Sequence, residues 1–208
     1  MSKIHFYFLR NFIFLFDLDS TITKQEILPT VAGKVGMYQS MYTLTENAMS
    51  GKVPFQQSFL QRVELLKYMP VSQIRSMVAE IELNQKIIQF IRNNKERCYI
   101  VTGNLDIWIE ELIENLGMEK NTYSSKALVK NDYIQEVVSV IDKNAVISQI
   151  VMPFVAIGDG NNDAEMIDAA EIGIGYGGVR EISPSVLACA SHIVYREETL
   201  VEFLKKLV

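Results

Sequence analysis

With 208 residues, 49% of them hydrophobic and 22% charged, the chain can close a substantial core, and roughly 70% of its unfolded surface should be buried on folding. This excludes a disordered chain and a disulfide-stapled miniprotein, and the length argues for one domain with room for an inserted module. A formal charge of −5 supplies no basic field for nucleic acid or an anionic membrane surface, so the expected partner is a small molecule.

Ile4 to Phe16 is almost wholly apolar, but Arg10 and Asn11 interrupt it, and each stretch falls short of the ~20 residues of a membrane helix. Strands are expected here, not an anchor. Phe12-Ile13-Phe14-Leu15-Phe16 has the continuous apolar character of a parallel strand buried on both faces, and it ends abruptly in Asp17-Leu18-Asp19-Ser20-Thr21. The chain then turns helical, as in Phe55, Phe59, Val63 and Leu66, which predicts a helical cap over 23–82 inserted into a core of 1–22 and 83–208. A helix around Ile87–Ile91 follows, then a strand over Cys98–Val101. Thr102 is expected at the start of the next helix, which runs from Ile107 to Leu116 and is closed by Gly117.

Lys126 to Val140 predicts a hairpin turning at Asn131-Asp132, and Asp142 is placed to cap a helix reaching Val151. Phe154-Val155-Ala156-Ile157 is a second buried strand, ending in Gly158-Asp159-Gly160-Asn161-Asn162-Asp163. Short strands near Ile172–Ile174 and Ile193–Tyr195 and a helix from Glu197 complete the pattern. Strands alternating with helices predict an α/β fold, a doubly wound parallel sheet with a Rossmann-like core. Cys98 and Cys189 have neither disulfide nor zinc spacing, which fits a reducing, cytoplasmic compartment.

Ligands of such sheets bind beyond the carboxyl ends of the strands. Three strand ends are strongly polar here: Asp17 with Asp19, Thr102-Gly103-Asn104, and Asp159 with Asp163. Four carboxylates converging on one edge repel one another unless a cation joins them, and all-oxygen ligation suits magnesium better than zinc. Taken alone, Asp17 and Asp19 are better explained as helix-capping or solvated turn acids; the Asp159 segment reverses the balance in favour of a site.

Asp17-Leu18-Asp19-Ser20-Thr21, Thr102-Gly103, Lys143 and Gly158-Asp159-Gly160-Asn161-Asn162-Asp163 stand in the order found in the haloacid dehalogenase superfamily of phosphatases, which the chain resembles over nearly its whole length. The insert, through Ala48–Lys52, Phe55–Ser58 and Gln61–Val63, resembles that of phosphoserine phosphatases. The resemblance implies Asp17 as nucleophile, Asp19 as general acid and base, and Thr102 and Lys143 as phosphate ligands. It implies a magnesium site from Asp17, Asp19 and Asp159, with Asp163 and Asn162 orienting metal waters or Lys143. Glu26 would meet a substrate ammonium and Arg62 a carboxylate, with Gly103 near the phosphate and Met49 and Phe55 shielding the site.

The activity so implied is hydrolysis of phosphoserine to serine and phosphate by a cytoplasmic monomer or homodimer of serine biosynthesis. Alternatives are the same chemistry on an aminoalkyl, nucleotide or sugar phosphate, phosphoryl transfer to an acceptor alcohol, or a catalytically silent binding protein. Two departures stand out: Asn104 replaces a glycine of the phosphoserine phosphatase pattern, and Ile174-Gly175-Tyr176-Gly177-Gly178-Val179-Arg180 is atypical.

Overall fold

The computed structural model describes residues 11–208; the apolar stretch Phe6–Leu9 lies outside them. The chain enters the sheet through β1 (Ile13–Phe16) and leaves at once for α1 (Ile27–Lys34), α2 (Tyr38–Met49), α3 (Phe55–Leu66) and α4 (Val71–Ala79). It returns through α5 (Gln85–Asn93), β2 (Cys98–Leu105) and α6 (Asp106–Leu116), and then forms the hairpin of β3 (Thr122–Lys130) and β4 (Tyr133–Ser139). After α7 (Lys143–Ile147) come β5 (Phe154–Gly158), α8 (Ala164–Ala169), β6 (Ile172–Tyr176), α9 (Pro184–Cys189), β7 (His192–Val194) and α10 (Glu197–Leu204).

The sheet order is β4-β3-β2-β1-β5-β6-β7, parallel throughout except for the antiparallel hairpin at one edge. This is the doubly wound α/β sheet expected from the alternating pattern. β1 lies at its centre because Phe14, Leu15 and Phe16 are apolar on both faces and are fully buried between helical layers. On one face Phe90 of α5 meets Phe14 edge-on at 5.2 Å and Phe16 at 6.3 Å, which fixes that helix against the central strand.

Three local expectations change. Thr102 is not at a helix start: the strand runs on to Leu105 and the next helix begins at Asp106, so Thr102, Gly103 and Asn104 belong to β2. The pairing of β2 with β3 is irregular between Val101 and Leu105, which lets this polar end bulge. Asp142 does cap α7, accepting from the Asn144 amide at 2.9 Å, but the helix stops at Ile147 rather than Val151. The short α9 had no counterpart in the sequence pattern; Ser183 caps it and Pro184 starts it.

The chain leaves and re-enters the core at adjacent points. Thr23 bridges to Leu83, and Asn84 binds the carbonyls of Ile22, through its amide at 2.9 Å, and Thr21, through its side chain at 2.8 Å. α4 is fastened to the sheet side by the hairpin turn. The Asp132 carbonyl accepts from the Val71 amide at 2.7 Å, and the Asp132 carboxylate accepts from the Ser72 amide at 2.9 Å. The helices between these ties are thereby held over the carboxyl ends of the strands.

Phe90→Ala removes the ring wedged between α5 and β1, and urea denaturation should show a loss of about 3–5 kcal/mol. A loss under about 1 kcal/mol would mean that this contact does not anchor the helix to the sheet.

Candidate active site

Strand register sets the geometry. Phe16 lies opposite Ile100 on one side and Ile157 on the other, and the Asp17 amide continues the ladder by donating to the Ile157 carbonyl at 2.9 Å. Asp17 and Asp159 therefore emerge from adjacent strands at the same level. Both are buried. Beyond β1 the backbone folds into a tight turn in which Ser20 takes φ 55° and the Leu18 carbonyl accepts from the amides of Ile22 and Thr23. That turn aims Asp19 at the start of α1, where Ile27 donates its amide at 2.8 Å; Asn104 of β2 donates to the other carboxylate oxygen.

The loop after β5 closes on Asp163. Its Oδ2 accepts from the amides of Asp159, at 3.1 Å, and Gly160, at 2.8 Å. Its Oδ1 accepts from Lys143 Nζ at 2.5 Å, and the same ammonium donates to Asp17 Oδ1 at 2.6 Å. Lys143, at the N-terminus of α7, opposes the helix dipole, and these two anions offset that cost. Both Asp163 oxygens are thus occupied, so the side chain positions Lys143 and the loop.

Electrostatics at this edge are strained. Burial, and next the Asp163 carboxylate, push the Asp17 pKa well above the ordinary range, against the pull of Lys143. Burial, then Glu26, push Asp159 up in the same way. Asp19 is raised to about 7, by burial first and Glu26 second, against its bonds from Ile27 and Asn104. Burial works against the Lys143 charge, yet Asp163 and Asp17 hold its pKa above the usual lysine range.

Oxygens of Asp17, Asp159 and Asp163 lie within 4.8 Å of one another, all buried. Acids this close and this desolvated are relieved by a cation, and an all-carboxylate donor set fits a hard divalent ion. The Asn162 Oδ1, buried beside them without a hydrogen-bond partner among the described residues, suits a water on such an ion.

The helical segment closes the site from above. A side chain at Gly103 would place its Cβ 2.2 Å from the Phe55 ring, and one at Gly160 would place it 2.6 Å from Met49 Sδ. Bare backbone below is what permits the apolar ceiling to descend. The cavity left between them measures about 20 Å³, and Asp17, Asp19, Glu26, Arg62, Asn104 and Asn162 are on its wall. Arg62, from α3, is buried between Phe55 and Phe59, its guanidinium carbon 5.4 and 5.5 Å from the ring centres. Its Nε and Nη2 have no hydrogen-bond partner among the described residues.

The residues singled out from sequence are thus all at one place. Thr102 is buried next to Asn104, whose amide and side chain donate to its hydroxyl oxygen at 3.2 and 3.0 Å, leaving the hydroxyl hydrogen to donate elsewhere. Of Glu26 and Arg62, the two charged groups that the helical segment brings to the cavity wall, Glu26 is already engaged. Its Oε1 accepts from Ser20 Oγ at 2.9 Å and from Arg180 Nη1 at 3.0 Å. The sequence did not single out Arg180, whose only signal was a basic residue in an unusual glycine-rich loop.

Fold and site together define a doubly wound α/β protein with carboxylates gathered at the strand ends and a helix-borne lysine among them. Residues 14–168 match the family profile of haloacid dehalogenase-like hydrolases, and the chain belongs to that family. Among curated relatives, a phosphoserine phosphatase of Methanocaldococcus jannaschii is 29% identical over 79% of this chain and 84% of its own. One of Archaeoglobus fulgidus is 28% identical over 79% of this chain, which spans only 52% of that longer protein. One of Lactococcus lactis subsp. lactis is 24% identical over 94% of this chain and 96% of its own. A phosphoserine phosphatase solved as a phospho-aspartyl intermediate analogue superimposes with a TM-score of 0.77 at 26% identity, over 96% of this chain and 100% of the other. The chain is a phosphoric monoester hydrolase.

The raised pKa of Asp19 predicts a pH-dependent stability. In the unfolded chain this acid ionises near pH 3.9, whereas in the folded protein it keeps its proton to about 7. The folded state therefore binds more protons in between, and stability falls as pH rises from about 4 to about 7. With a chelator present, the melting temperature should drop from pH 5 to pH 8, and a divalent cation should restore more at pH 8 than at pH 5. Equal recovery at both pH values would contradict a cation held by these acids.

Proposed function

We propose that this hydrolase is a magnesium-dependent phosphomonoesterase that works through an aspartyl-phosphate and acts on phosphoserine. The observation that carries the chemistry is the pairing of Asp17, aligned by a buried lysine, with Asp19, an acid whose pKa lies near neutrality. A free Asp17 oxygen attacks phosphorus in line, while Asp19 gives its proton to the leaving serine oxygen. Asp19, now a carboxylate, takes a proton from the water that attacks the aspartyl-phosphate, and phosphate and Asp17 are regenerated. The Asp17 and Asp159 carboxylates and the Asp19 carbonyl would hold magnesium, which would supply the positive charge that lets one anion approach another. Lys143 adds a second charge, and the Thr102 hydroxyl and Gly103 amide bind phosphate oxygens.

The substrate class rests on Arg62. A buried guanidinium with two unpartnered nitrogens, braced by two aromatic rings, is a receptor for an anion, and a carboxylate about one residue's length from the phosphate meets it. The relatives named above support phosphoserine as that compound. A cavity of about 20 Å³ holds little more than water, so the helices over the site lift to admit substrate and close again. Closure keeps water off the intermediate until the leaving group has gone. The free cysteines Cys98 and Cys189 fit the reducing compartment of such an enzyme.

Phosphate release from phosphoserine in magnesium tests the proposal. Asp17→Asn should lose at least about 4 kcal/mol of transition-state stabilisation, a thousandfold or more, with the fold intact by circular dichroism. Retention of several per cent of activity would remove Asp17 as nucleophile.

Arg62→Ala should cost about 2–5 kcal/mol in kcat/KM for phosphoserine and far less for p-nitrophenyl phosphate, which has no carboxylate. Parallel losses on the two substrates would leave the phosphatase chemistry standing and remove the case for a carboxylate-bearing one.

A further inference from the structure

Arg180 lies in the loop between β6 and α9, and it binds three acids at once. Nη1 reaches Glu26 Oε1 at 3.0 Å, Nη2 reaches Glu46 Oε1 on α2 at 2.9 Å, and Nε lies 3.4 Å from Asp159 Oδ2. Glu26 and Asp159 are on the cavity wall and Arg180 is not, so whatever Arg180 does to a bound substrate it does through these two acids, and Glu26 is the one that faces the recognition end. The two charged ends of the recognition segment are consequently unequal. Arg62 meets the cavity with nitrogens that nothing else binds, whereas Glu26 meets it with its charge already shared by a guanidinium and a serine hydroxyl.

We propose that Arg180 is a specificity-determining positioning residue that, through its ion pair with Glu26, weakens the site's preference for a substrate ammonium over an uncharged group at the same position. This rests on the phosphomonoesterase reading and refines its substrate class. Phosphomonoesters with a carboxylate are accepted whether or not they carry an amine. An ammonium drawn to Glu26 comes close to a second cation, and the repulsion subtracts from the attraction. Glu46 sets the strength of the effect: the more Arg180 is held by Glu46, the less it neutralises Glu26. Ser20 keeps the Glu26 carboxylate in place whichever cation it faces, since its hydroxyl donates to the shared oxygen at 2.9 Å.

The test compares kcat/KM for phosphoserine with that for phosphorylated 3-hydroxypropionate, its counterpart without the amine, in saturating magnesium. Both compounds carry the phosphate and carboxylate, so any loosening of the closed site or of the metal site affects them alike and cancels in the ratio. Arg180→Gln should raise the ratio of phosphoserine to its deaminated counterpart about tenfold, and Arg180→Lys should leave it within about twofold of wild type. Glu46→Gln, which hands Arg180 over to Glu26, should lower the ratio; it also serves if Arg180→Gln does not fold. A ratio unchanged in both Arg180→Gln and Glu46→Gln, with both substrates falling together, makes Arg180 a structural tie and overturns the proposal. Wild-type turnover of p-nitrophenyl phosphate but of neither carboxylate compound overturns phosphoserine as substrate. In that event, phosphoserine turnover gained by Arg180→Gln upholds the role of Arg180, and its absence refutes it.

Discussion

The bond pair from Lys143 to Asp17 and Asp163 is the interaction on which the site depends. Four carboxylates are brought to one sheet edge, and Asp17, Asp159 and Asp163 are almost wholly removed from water. One buried ammonium cannot balance them, but it can decide their geometry. By taking one oxygen of Asp17 it leaves the other for chemistry, and by taking one oxygen of Asp163 it ties α7 to the loop after β5. Arg180, less deeply buried, reaches Asp159 Oδ2 at 3.4 Å and offsets part of the remaining charge, and a cluster of acids this close and this buried suits a cation. Acids that would be most comfortable protonated or solvated are held together at the strand ends, at a cost to stability that the proposed function explains as preparation for a metal and a phosphate.

The sheet makes that arrangement possible at low cost to the backbone. Parallel strands end at the same side, so a register in which Phe16 faces Ile157 puts two acids side by side without any unusual dihedral at either. Among the described residues near Asp17, Ser20 is the one non-glycine residue with positive φ, and its strain is offset by a local net in which Ser20 donates its amide to Thr23 Oγ1 and Thr23 donates to the Leu18 carbonyl. The same turn presents Ser20 Oγ to Glu26, so the geometry of the nucleophile loop and that of the recognition segment are set together.

What could be seen in the sequence follows from how local each signal is. Continuous apolar runs that stop at acids, as at Phe16 to Asp17 and Ile157 to Asp159, announce buried strands and their functional ends by composition alone. Asn131-Asp132 announces the hairpin because both residues tolerate the left-handed region they occupy. The far end of β2 is hidden because Gly103 and Asn104 disfavour a strand; pairing with the neighbouring strand and Ser125 donating to the Gly103 carbonyl at 2.7 Å hold those residues extended instead. The end of α7 is hidden because Ile150 and Val151 follow Ile147 at a helical spacing, and such spacing does not distinguish a helix from a loop that leads into a strand. Arg180 could not be read at all: its partners are 21, 134 and 154 positions away, and an ion pair across that separation leaves no periodic trace.

The cap residues show how recognition and closure become one event. Phe55 descends onto Gly103 and Met49 onto Gly160, so the apolar ceiling is complete only when the helices sit fully on the strand ends. Arg62 is carried down with them, between Phe55 and Phe59, into a place where two of its nitrogens lose water and gain no protein partner. Burial lowers its pKa, and only the more distant Glu26 and Asp19 charges resist that shift. The cap side thus carries an uncompensated cost that matches the excess of buried acids on the core side. Under the proposed function, a phosphomonoester with a carboxylate would relieve both, its phosphate drawing in a cation and its carboxylate completing Arg62. Binding energy from the non-reacting end of such a substrate would then be spent on shutting water out of the reacting end, which is how a small cap can raise the rate of a reaction it does not touch.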